Sequence, residues 1–349
     1  MTRLRIGYVG HVPHRNFLDT CAADPALELL HIPLEASEEE AVRMLATCHA
    51  YYAMASRDEL PRPLHVTAAL LRRLPGLLMV ASTGAGYDTC DPLACTEAGV
   101  ALVNQAGGNA EAVAEHAVGM MLGLLKRFPE NAAAMKAGRA GNRASLLGHE
   151  LKGRTVGLIG CGHVGRRVAE IVTAAFGCRV LACDPYLDAA TLAARGAEKA
   201  TLGELLARSE VVSVHCPLTP ETRGMLGARE FAAMRPGAVF ITTARGSIHD
   251  EAALLAALES GHLWGAGVDV WDQEPPPADH PLLHHPKVIA TQHTAGVTEE
   301  SRANITRIAA LAFSDLAAGR MPPRLVNPEV KPRFAARVAA ALGRAPVEA

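Results

Sequence analysis

Short apolar runs alternate along the chain with longer stretches that are rich in alanine and leucine. This alternation is typical of a parallel β-sheet whose strands are joined by crossover helices. Several runs are almost continuous in Val, Ile and Leu, as expected for strands that helices cover on both faces. The predicted strands span residues 5–9, 77–81, 155–159, 179–183, 211–215, 238–242 and 288–291.

Longer segments with the pattern of helices lie between and after these runs. They span residues 109–126, 164–176 and 298–318. Asn109 can cap the first helix, and Glu111 lies in its first turn, where the helix dipole favours an acidic side chain. The segment 331–349 is rich in alanine and arginine and is compatible with either a helix or a loose tail.

The length of 349 residues suits two domains better than one. A polar, glycine-containing stretch at 137–152 precedes a new βαβ unit that begins at Thr155. The last long helix follows the last strand and would return the chain to the first domain. We therefore predict two α/β domains, each a doubly wound parallel sheet, formed by residues 1–104 with 297–349 and by residues 105–296.

Composition and charge narrow the class of protein. A hydrophobic fraction of 49% with 20% charged residues is globular, and a net charge of −2 argues against nucleic acid or an anionic membrane as partner. The chain enters a strand directly, and no run approaches the roughly 18 apolar residues of a membrane span, so we expect neither a signal peptide nor a span. The eight cysteines are scattered without a Cys-x-x-Cys pair, which indicates reduced thiols in a cytoplasmic protein and no metal site.

A glycine-rich turn joins the strand at 155–159 to the helix at 164–176. It reads Gly160-Cys-Gly-His-Val-Gly165, and this strand–turn–helix context makes the pattern specific. Gly160 permits a sharp turn, Gly162 leaves room for a pyrophosphate, and Gly165 lets the helix pack closely on the strand. The helix N-terminus offers N–H groups to phosphates. The sequence therefore predicts a dinucleotide site.

Asp184 directly follows the next predicted strand, about 20 residues beyond the turn, where the motif requires an acid. A carboxylate at this point accepts hydrogen bonds from both adenosine ribose hydroxyls and repels a 2′-phosphate, which favours NAD over NADP. The alternative interpretation is a glycine turn in a fold that binds no nucleotide, with Asp184 as a turn residue before Pro185.

Three polar side chains follow the later strands. Arg245 lies in Thr-Thr-Ala-Arg-Gly, Glu274 follows Gly267-Val-Asp-Val-Trp, and His293 lies in Thr-Gln-His-Thr. Ligands bind at the carboxyl ends of strands in doubly wound sheets, so we expect a ligand site here. Taken singly, they could be a salt-bridge partner, a loop acid before proline and a structural loop histidine. Their joint occurrence downstream of a dinucleotide motif favours catalysis.

Reduction of a 2-keto acid requires a cation for the carboxylate and carbonyl, a proton donor and a hydride. The fixed fork of Arg245 matches a carboxylate. His293 titrates near neutrality and can supply the proton. Glu274 beside the imidazole would favour its protonated form and fix its tautomer. These residues predict hydride transfer between a nicotinamide and a 2-hydroxy acid.

Over roughly residues 50–330 the chain resembles the D-isomer-specific 2-hydroxyacid dehydrogenase family. Two motifs support the resemblance beside the segments above. The long-helix motif reads Asn104-Gln-Ala-Gly-Gly-Asn-Ala-Glu-Ala-Val-Ala-Glu-His116, and the cofactor-loop motif reads Ser213-Val-His-Cys-Pro-Leu-Thr-Pro-Glu-Thr222. Departures from the family pattern are Gln292 for proline, Thr242 for asparagine and Gln105-Ala106 for Thr-Pro, which leave subfamily and substrate open.

The resemblance implies a Rossmann NAD domain and a flavodoxin-like substrate domain, with the active site in the cleft between them. It implies that Arg245, Glu274 and His293 have the roles given above, and that the backbone N–H groups of Ala85 and Gly86 bind the substrate carboxylate. Beyond the three glycines, the implied NAD contacts are His163, Val164, Asp184, Cys216, Pro217, Thr222, Thr243, Ala244 and Asp269, the last of these to the nicotinamide amide.

The resemblance also implies a homodimer formed through the nucleotide domain, near residues 109–126 and 137–152. The leading hypothesis is therefore an NAD-dependent oxidoreductase that interconverts a D-2-hydroxy acid and its 2-keto acid. Some relatives are NAD(H)-sensing, corepressor-like proteins with little turnover, but the intact catalytic set favours an enzyme. Relatives that oxidise formate carry glutamine in place of Glu274, which argues against that chemistry.

The substrate's side chain stays open. A phosphorylated substrate would need a cation, and Arg57, before the loop at Ala85, is the candidate substrate-binding residue, with Arg62 as a second. The alternative is that both are solvated loop charges.

Overall fold

The chain folds as two units in a computed structural model that describes residues 3–138 and 143–348. Unit 1 comprises Met1–Asn109 and Thr298–Ala349, and unit 2 comprises Ala110–Val297. Among the described residues, no helix combines the length and the apolar character that a membrane span requires.

The strands and helices are numbered in chain order. The strands are β1 (Leu4–Val9), β2 (Leu27–Ile32), β3 (Ala50–Ala53), β4 (Met79–Ser82), β5 (Ala101–Val103), β6 (Thr155–Ile159), β7 (Arg179–Cys183), β8 (Glu198–Lys199), β9 (Val211–Val214), β10 (Ala238–Thr242), β11 (Leu263–Val268) and β12 (Val288–Ala290). The helices are α1 (Asn16–Ala23), α2 (Glu38–Leu45), α3 (Ala68–Arg73), α4 (Pro92–Ala98), α5 (Ala110–Leu125), α6 (Phe128–Lys136), α7 (His163–Phe176), α8 (Ala189–Ala194), α9 (Leu202–Arg208), α10 (Ala228–Ala233), α11 (Glu251–Glu259), α12 (Pro281–His284), α13 (Glu299–Ala317) and α14 (Lys331–Leu342). Short 3-10 turns cover Arg62–Leu64, Arg143–Leu146, Gly246–Ile248 and Pro328–Val330.

Unit 1 is a parallel sheet with the strand order β2-β1-β3-β4-β5. This is the flavodoxin-like order, which confirms the predicted class. One face is covered by α1, α13 and α14, where the rings of Phe17 and Tyr52 stack at 4.5 Å and Phe313 meets Phe17 edge-on. The opposite face is covered by α2, α3 and α4.

The C-terminal segment, for which the sequence left helix and tail open, forms α14. Phe334 and Val338 on this helix are fully buried in the core of unit 1. Arg337 binds the carbonyl oxygens of Ala98 and Pro75, so α14 is tied to the end of α4. Burial of apolar surface, rather than local propensity, therefore makes this segment a helix.

Unit 2 is a parallel sheet with the strand order β12-β11-β10-β9-β6-β7-β8. The order reverses between β6 and β9, as it does in Rossmann folds, where ligands bind beyond the carboxyl ends of the strands at this point. The strands β10, β11 and β12 lie side by side, so the residues that follow them emerge at neighbouring positions on the same edge.

Most predicted elements are confirmed. The predicted strands 155–159, 179–183 and 238–242 have the same bounds as β6, β7 and β10. The bounds of the other predicted strands differ from the observed bounds by at most two residues, and those of the three long helices differ by one residue at most.

The sequence pattern missed β2, β3, β5 and β8, whereas the strand that it implied before Asp269 is β11. Strand β11 contains Gly265 and Gly267, which lower strand propensity, but a Cβ on either residue would press on α5, at Leu124 and Met120 respectively. The two glycines therefore allow the helix to pack closely against the strand.

Candidate active site

The turn between β6 and α7 is closely packed at Gly160 and Gly165 and open at Gly162. Gly160 has a φ of +90°, and a Cβ there would lie 2.8 Å from the backbone nitrogen of Cys216. A Cβ on Gly165 would clash with the carbonyl oxygen of Gly160, whereas one on exposed Gly162 would meet nothing within 4 Å. The open side lies at the N-terminus of α7, whose first turn contains exposed His163 and half-buried Val164. This cradle fits a pyrophosphate.

Asp184 is held directly beside this turn. Its Oδ2 accepts the N–H of Cys161 at 3.0 Å, and its Oδ1 accepts the N–H of Tyr186 at 3.0 Å. Each carboxylate oxygen keeps a second lone pair, so the side chain can still accept hydrogen bonds from two ribose hydroxyls. The residues present therefore fit a dinucleotide.

The loop after β9 packs against the glycine turn, and a hydrogen bond within the loop stabilises it. The Thr222 hydroxyl donates to the carbonyl of Pro217 at 2.7 Å, and Cys216 abuts Gly160. His215, which the sequence reasoning did not single out within the motif, contacts Ser213 Oγ at 2.9 Å. Burial lowers the pKa of His215 to about 4, so this imidazole is neutral at pH 7.

Two further sequence-predicted cofactor residues follow β10. Thr243 is buried, and its hydroxyl has no hydrogen-bond partner among the described residues. Ala244 is half-buried, and its carbonyl accepts the Nη1 of Arg245 at 2.6 Å. An unsatisfied buried hydroxyl is costly unless a water or a ligand pairs with it, which agrees with a ligand site here.

The structure brings Glu274 and His293 together and places Arg245 close to both. His293 Nδ1 lies 2.8 Å from Glu274 Oε2, and Glu274 Oε1 accepts the N–H of Trp271 at 3.1 Å. The side chains of His293 and Glu274 are 35% and 28% exposed, so the pair is partly shielded and still reachable. Gly246 packs directly on the backbone of Trp271, which holds the Arg245 segment against the loop that carries Glu274.

The electrostatics of this group favour a protonated histidine. Burial lowers the pKa of His293, but the hydrogen bond and negative charge of Glu274 outweigh it, so the pKa lies above its ordinary value. Burial raises the pKa of Glu274, but the hydrogen bond and charge of His293 outweigh it, so that pKa lies below its ordinary value. The positive charge of Arg245 lowers both pKa values.

The loop that carries His293 has an unusual backbone. His293 has a φ of +48°, which is uncommon for a residue other than glycine, and its N–H donates to the carbonyl of Asp269 at 2.7 Å. The Asp269 side chain is fully buried and accepts the N–H groups of Thr294 and Ala295 at 2.8 and 3.0 Å. Asp269 therefore holds the loop, and its expected contact with the nicotinamide amide stays a prediction.

In unit 1, three consecutive carbonyl oxygens in the loop after β4 accept hydrogen bonds. The carbonyls of Gly84, Ala85 and Gly86 accept, respectively, the N–H of Gln105, the Asn104 side-chain amide at 2.8 Å and the Ser82 hydroxyl. The N–H groups of Ala85 and Gly86 have no acceptor within the described part of the chain. This arrangement leaves two adjacent donors for an anion such as a carboxylate.

Gln105, which stands where the family pattern has threonine, holds this loop from two sides. Its N–H donates to the carbonyl of Gly84, and its Oε1 accepts the N–H of Gly84 at 2.6 Å. The sequence marks this residue as a departure but indicates no role for it, because only the fold brings β5 beside β4.

Arg57 and Arg62 are both exposed. The Nε of Arg57 donates to the carbonyl of Asp88 at 3.1 Å, so its guanidinium is attached to the end of the loop that carries Ala85 and Gly86. Arg62 lies in the 3-10 turn Arg62–Leu64. Arg57 is therefore the better placed of the two for a ligand at this loop.

Comparison with known proteins agrees with this geometry. Residues 118–295 match the model of the D-isomer specific 2-hydroxyacid dehydrogenase NAD binding domain. A D-3-phosphoglycerate dehydrogenase of Archaeoglobus fulgidus is 35% identical over 297 residues, which are 85% of this chain and 55% of that protein. The chain spans about half the length of the curated relatives it matches.

Solved structures are similar over most of the chain. A glyoxylate reductase from Paecilomyes thermophila superposes with a TM-score of 0.83 at 28% identity, covering 94% of this chain and 99% of that one. A D-lactate dehydrogenase from Aquifex aeolicus, complexed with NAD and lactic acid, gives 0.78 at 27% identity, covering 92% and 99%.

Proposed function

This chain belongs to the D-isomer specific 2-hydroxyacid dehydrogenase family, with unit 2 as its NAD-binding domain, and from this premise we propose that it interconverts a D-2-hydroxy acid and its 2-keto acid. The observation that supports the proposal most directly is the His293–Glu274 pair at 2.8 Å with Arg245 beside it. The three side chains follow adjacent strands of the sheet that carries the dinucleotide turn.

In the proposed reaction, Arg245 binds the carboxylate and carbonyl of the keto acid. The N–H groups of Ala85 and Gly86 in unit 1 are proposed separately as donors to a carboxylate. His293 Nδ1 is engaged by Glu274, so Nε2 is the ring nitrogen that donates a proton to the carbonyl oxygen. Glu274 stabilises the imidazolium before this transfer. A nicotinamide cofactor, when bound, would supply the hydride as NADH and accept it as NAD.

We assign the cofactor contacts to the residues around the glycine turn. Gly160, Gly162 and Gly165 with the first turn of α7 would bind the pyrophosphate, and Asp184 would bind the adenosine ribose. The negative charge of Asp184 would repel the 2′-phosphate of NADP, so NADH is the expected reductant.

The test is a panel of 2-keto acids assayed by oxidation of NADH and, in parallel, of NADPH. We expect turnover with NADH on at least one of glyoxylate, pyruvate, hydroxypyruvate or a larger keto acid, and NAD reduction with the matching D-hydroxy acid. Oxidation of D-3-phosphoglycerate belongs in the panel because a phosphorylated substrate would need a cation, and Arg57 is attached to the loop that carries Ala85 and Gly86. Absence of turnover in both directions across the panel contradicts the proposal.

Replacement of Glu274 by glutamine should move the pH dependence of keto-acid reduction in a defined direction. Reduction needs protonated His293, so the rate falls as pH rises through the pKa of His293, which Glu274 raises. Glutamine removes that charge, so the alkaline limb of kcat/KM against pH should shift to lower pH. The acid limb of the reverse reaction, which needs neutral His293, should shift the same way. A limb that does not move would contradict the role of Glu274.

We further propose a homodimer formed through unit 2. Helix α6 buries none of its side chains, and Phe128, Met135 and Leu147 are 62%, 73% and 75% exposed. Exposed large apolar side chains favour an interface where they form a contiguous patch. Part of the stretch expected at the interface, residues 139–142, lies outside the described residues. Sedimentation equilibrium should give twice the chain mass of 36.7 kDa, and the mass of a monomer would contradict the proposal.

A cytoplasmic location is also proposed. All eight cysteines are free thiols, and six of them are buried, which agrees with a reducing compartment.

A further inference from the structure

A histidine outside the proposed catalytic set contacts the loop that carries His293. His116 lies on α5, and its Nε2 is 3.2 Å from the hydroxyl of Thr291. That hydroxyl is 2.5 Å from Oδ1 of Asp269, and His116 Nε2 is 4.0 Å from the same oxygen. The three side chains form a continuous chain of contacts within unit 2.

The acceptor role of the Asp269 carboxylate determines the direction of each hydrogen bond among these three side chains. Its carboxylate accepts the N–H groups of Thr294 and Ala295, so it is the acceptor toward Thr291 as well. The Thr291 hydroxyl therefore gives its single proton to Asp269 and offers a lone pair to His116. His116 Nε2 must then be the donor, which selects the ring form that carries a proton on Nε2.

Helix α5, which carries His116, is packed firmly against the sheet of unit 2. The helix packs on the strands whose ends carry Asp269 and Thr291: Met120 fills the space above Gly267, and Gly123 faces Ile289 so closely that a Cβ would lie 2.9 Å away. Trp264 Nε1 donates to the carbonyl of Leu124 at 3.1 Å, which attaches the same helix to β11. His116 is thus fixed relative to the sheet edge from which the loop begins.

The loop requires such a support because His293 has a left-handed backbone and one ring nitrogen bound to Glu274. Its N–H donates to the carbonyl of Asp269, and the next two N–H groups donate to the carboxylate of the same residue. A shift of Asp269 would therefore move His293 relative to Glu274 and Arg245.

We propose that His116 is a positioning residue for the catalytic loop: its Nε2–H orients the Thr291 hydroxyl onto Asp269, and Asp269 in turn holds His293 against Glu274. The proposal rests on the function assigned to His293. It gives a role to the last residue of the long-helix motif, for which the sequence offered none.

Two variants separate the hydrogen bond from the bulk of the side chain. His116→Met fills a similar volume without a donor, whereas His116→Gln places an amide N–H near the position of Nε2. We expect kcat for keto-acid reduction to fall about tenfold in H116M, because a small displacement of a catalytic group is costly. We expect H116Q to recover most of the loss. His284→Gln, at an exposed histidine of unit 2 whose Nε2 contacts the carbonyl of Ala278, is the matched control.

The pH profile distinguishes positioning from mere stabilisation. The charged groups that face His293 in the described part of unit 2 are Glu274, Arg245 and Asp269. Loosening the His293–Glu274 contact in H116M should shift the alkaline limb of reduction to lower pH, and H116Q should restore it. A lower thermal midpoint without a limb shift, or equal impairment in H116M and H116Q, would overturn the proposal.

This proposal can also be tested without measuring turnover, so its outcome can be distinguished from that of the proposed function. Nitrogen-15 NMR of the histidine rings, with the His116 signals identified by their loss in H116Q, should show the proton on Nε2. The same spectra titrated with pH should show a lower pKa of His293 in H116M and in Thr291→Val. A proton on Nδ1 of His116, or an unchanged His293 titration, would overturn the proposal even if the enzyme is fully active. Absence of turnover with the NMR result as expected would refute only the dehydrogenase assignment.

Discussion

Replacement of His293 by asparagine should lower kcat for keto-acid reduction by about 10²–10⁴-fold, the range that a general acid contributes. Asparagine suits this position because it tolerates the left-handed backbone of His293, at φ +48°, better than most residues do. Its side-chain amide can also donate to Glu274 in place of Nδ1. The loop should therefore keep its shape while the proton donor at Nε2 is lost.

The measurement is a steady-state assay together with NADH binding followed by fluorescence. NADH affinity should be unchanged, because the dinucleotide turn and Asp184 are untouched. His284→Asn, at an exposed histidine of the same unit, serves as the control and should retain full activity. Turnover within twofold of the parent would remove His293 from the mechanism.

Replacement of Arg245 by glutamine should lower kcat/KM for the keto acid by about 10²–10⁴-fold. The estimate corresponds to the loss of two charge-assisted hydrogen bonds to the substrate, at about 1.5–3 kcal/mol each. Arg245→Lys should recover part of the loss, because lysine keeps the charge but lacks the planar fork. Arg235→Gln, at an exposed arginine of unit 2, is the matched control.

The pH dependence gives a second readout for Arg245. Its positive charge lowers the pKa of His293, so the glutamine variant should have a higher His293 pKa. The alkaline limb of reduction should then move to higher pH, opposite to the shift expected for Glu274→Gln. Equal shifts in the two variants, or a loss confined to the KM for NADH, would contradict the assignment of Arg245 to the substrate.

The glycine turn of unit 2 and the loop after β4 in unit 1 differ in how far the sequence could specify them. The glycine turn and Asp184 are specified almost entirely by local sequence, because backbone conformation and side-chain volume at Gly160, Gly162 and Gly165 select the residue directly. The loop at Ala85 and Gly86 was identified only through resemblance. Its function as a donor pair depends on Ser82, Asn104 and Gln105, which occupy its carbonyls.

The sequence by itself determined the fold class, the central strands and the long helices, because hydrophobic period is a local property, and its residue chemistry led to the proposal of Arg245, Glu274 and His293 as the catalytic set. It did not determine the bounds of β11 or the close packing of α5 on its glycines. Nor could it assign His116, which lies 175 residues from Thr291 in the chain. Only the tertiary structure decides such contacts, because strand order brings distant segments to the same edge of the sheet.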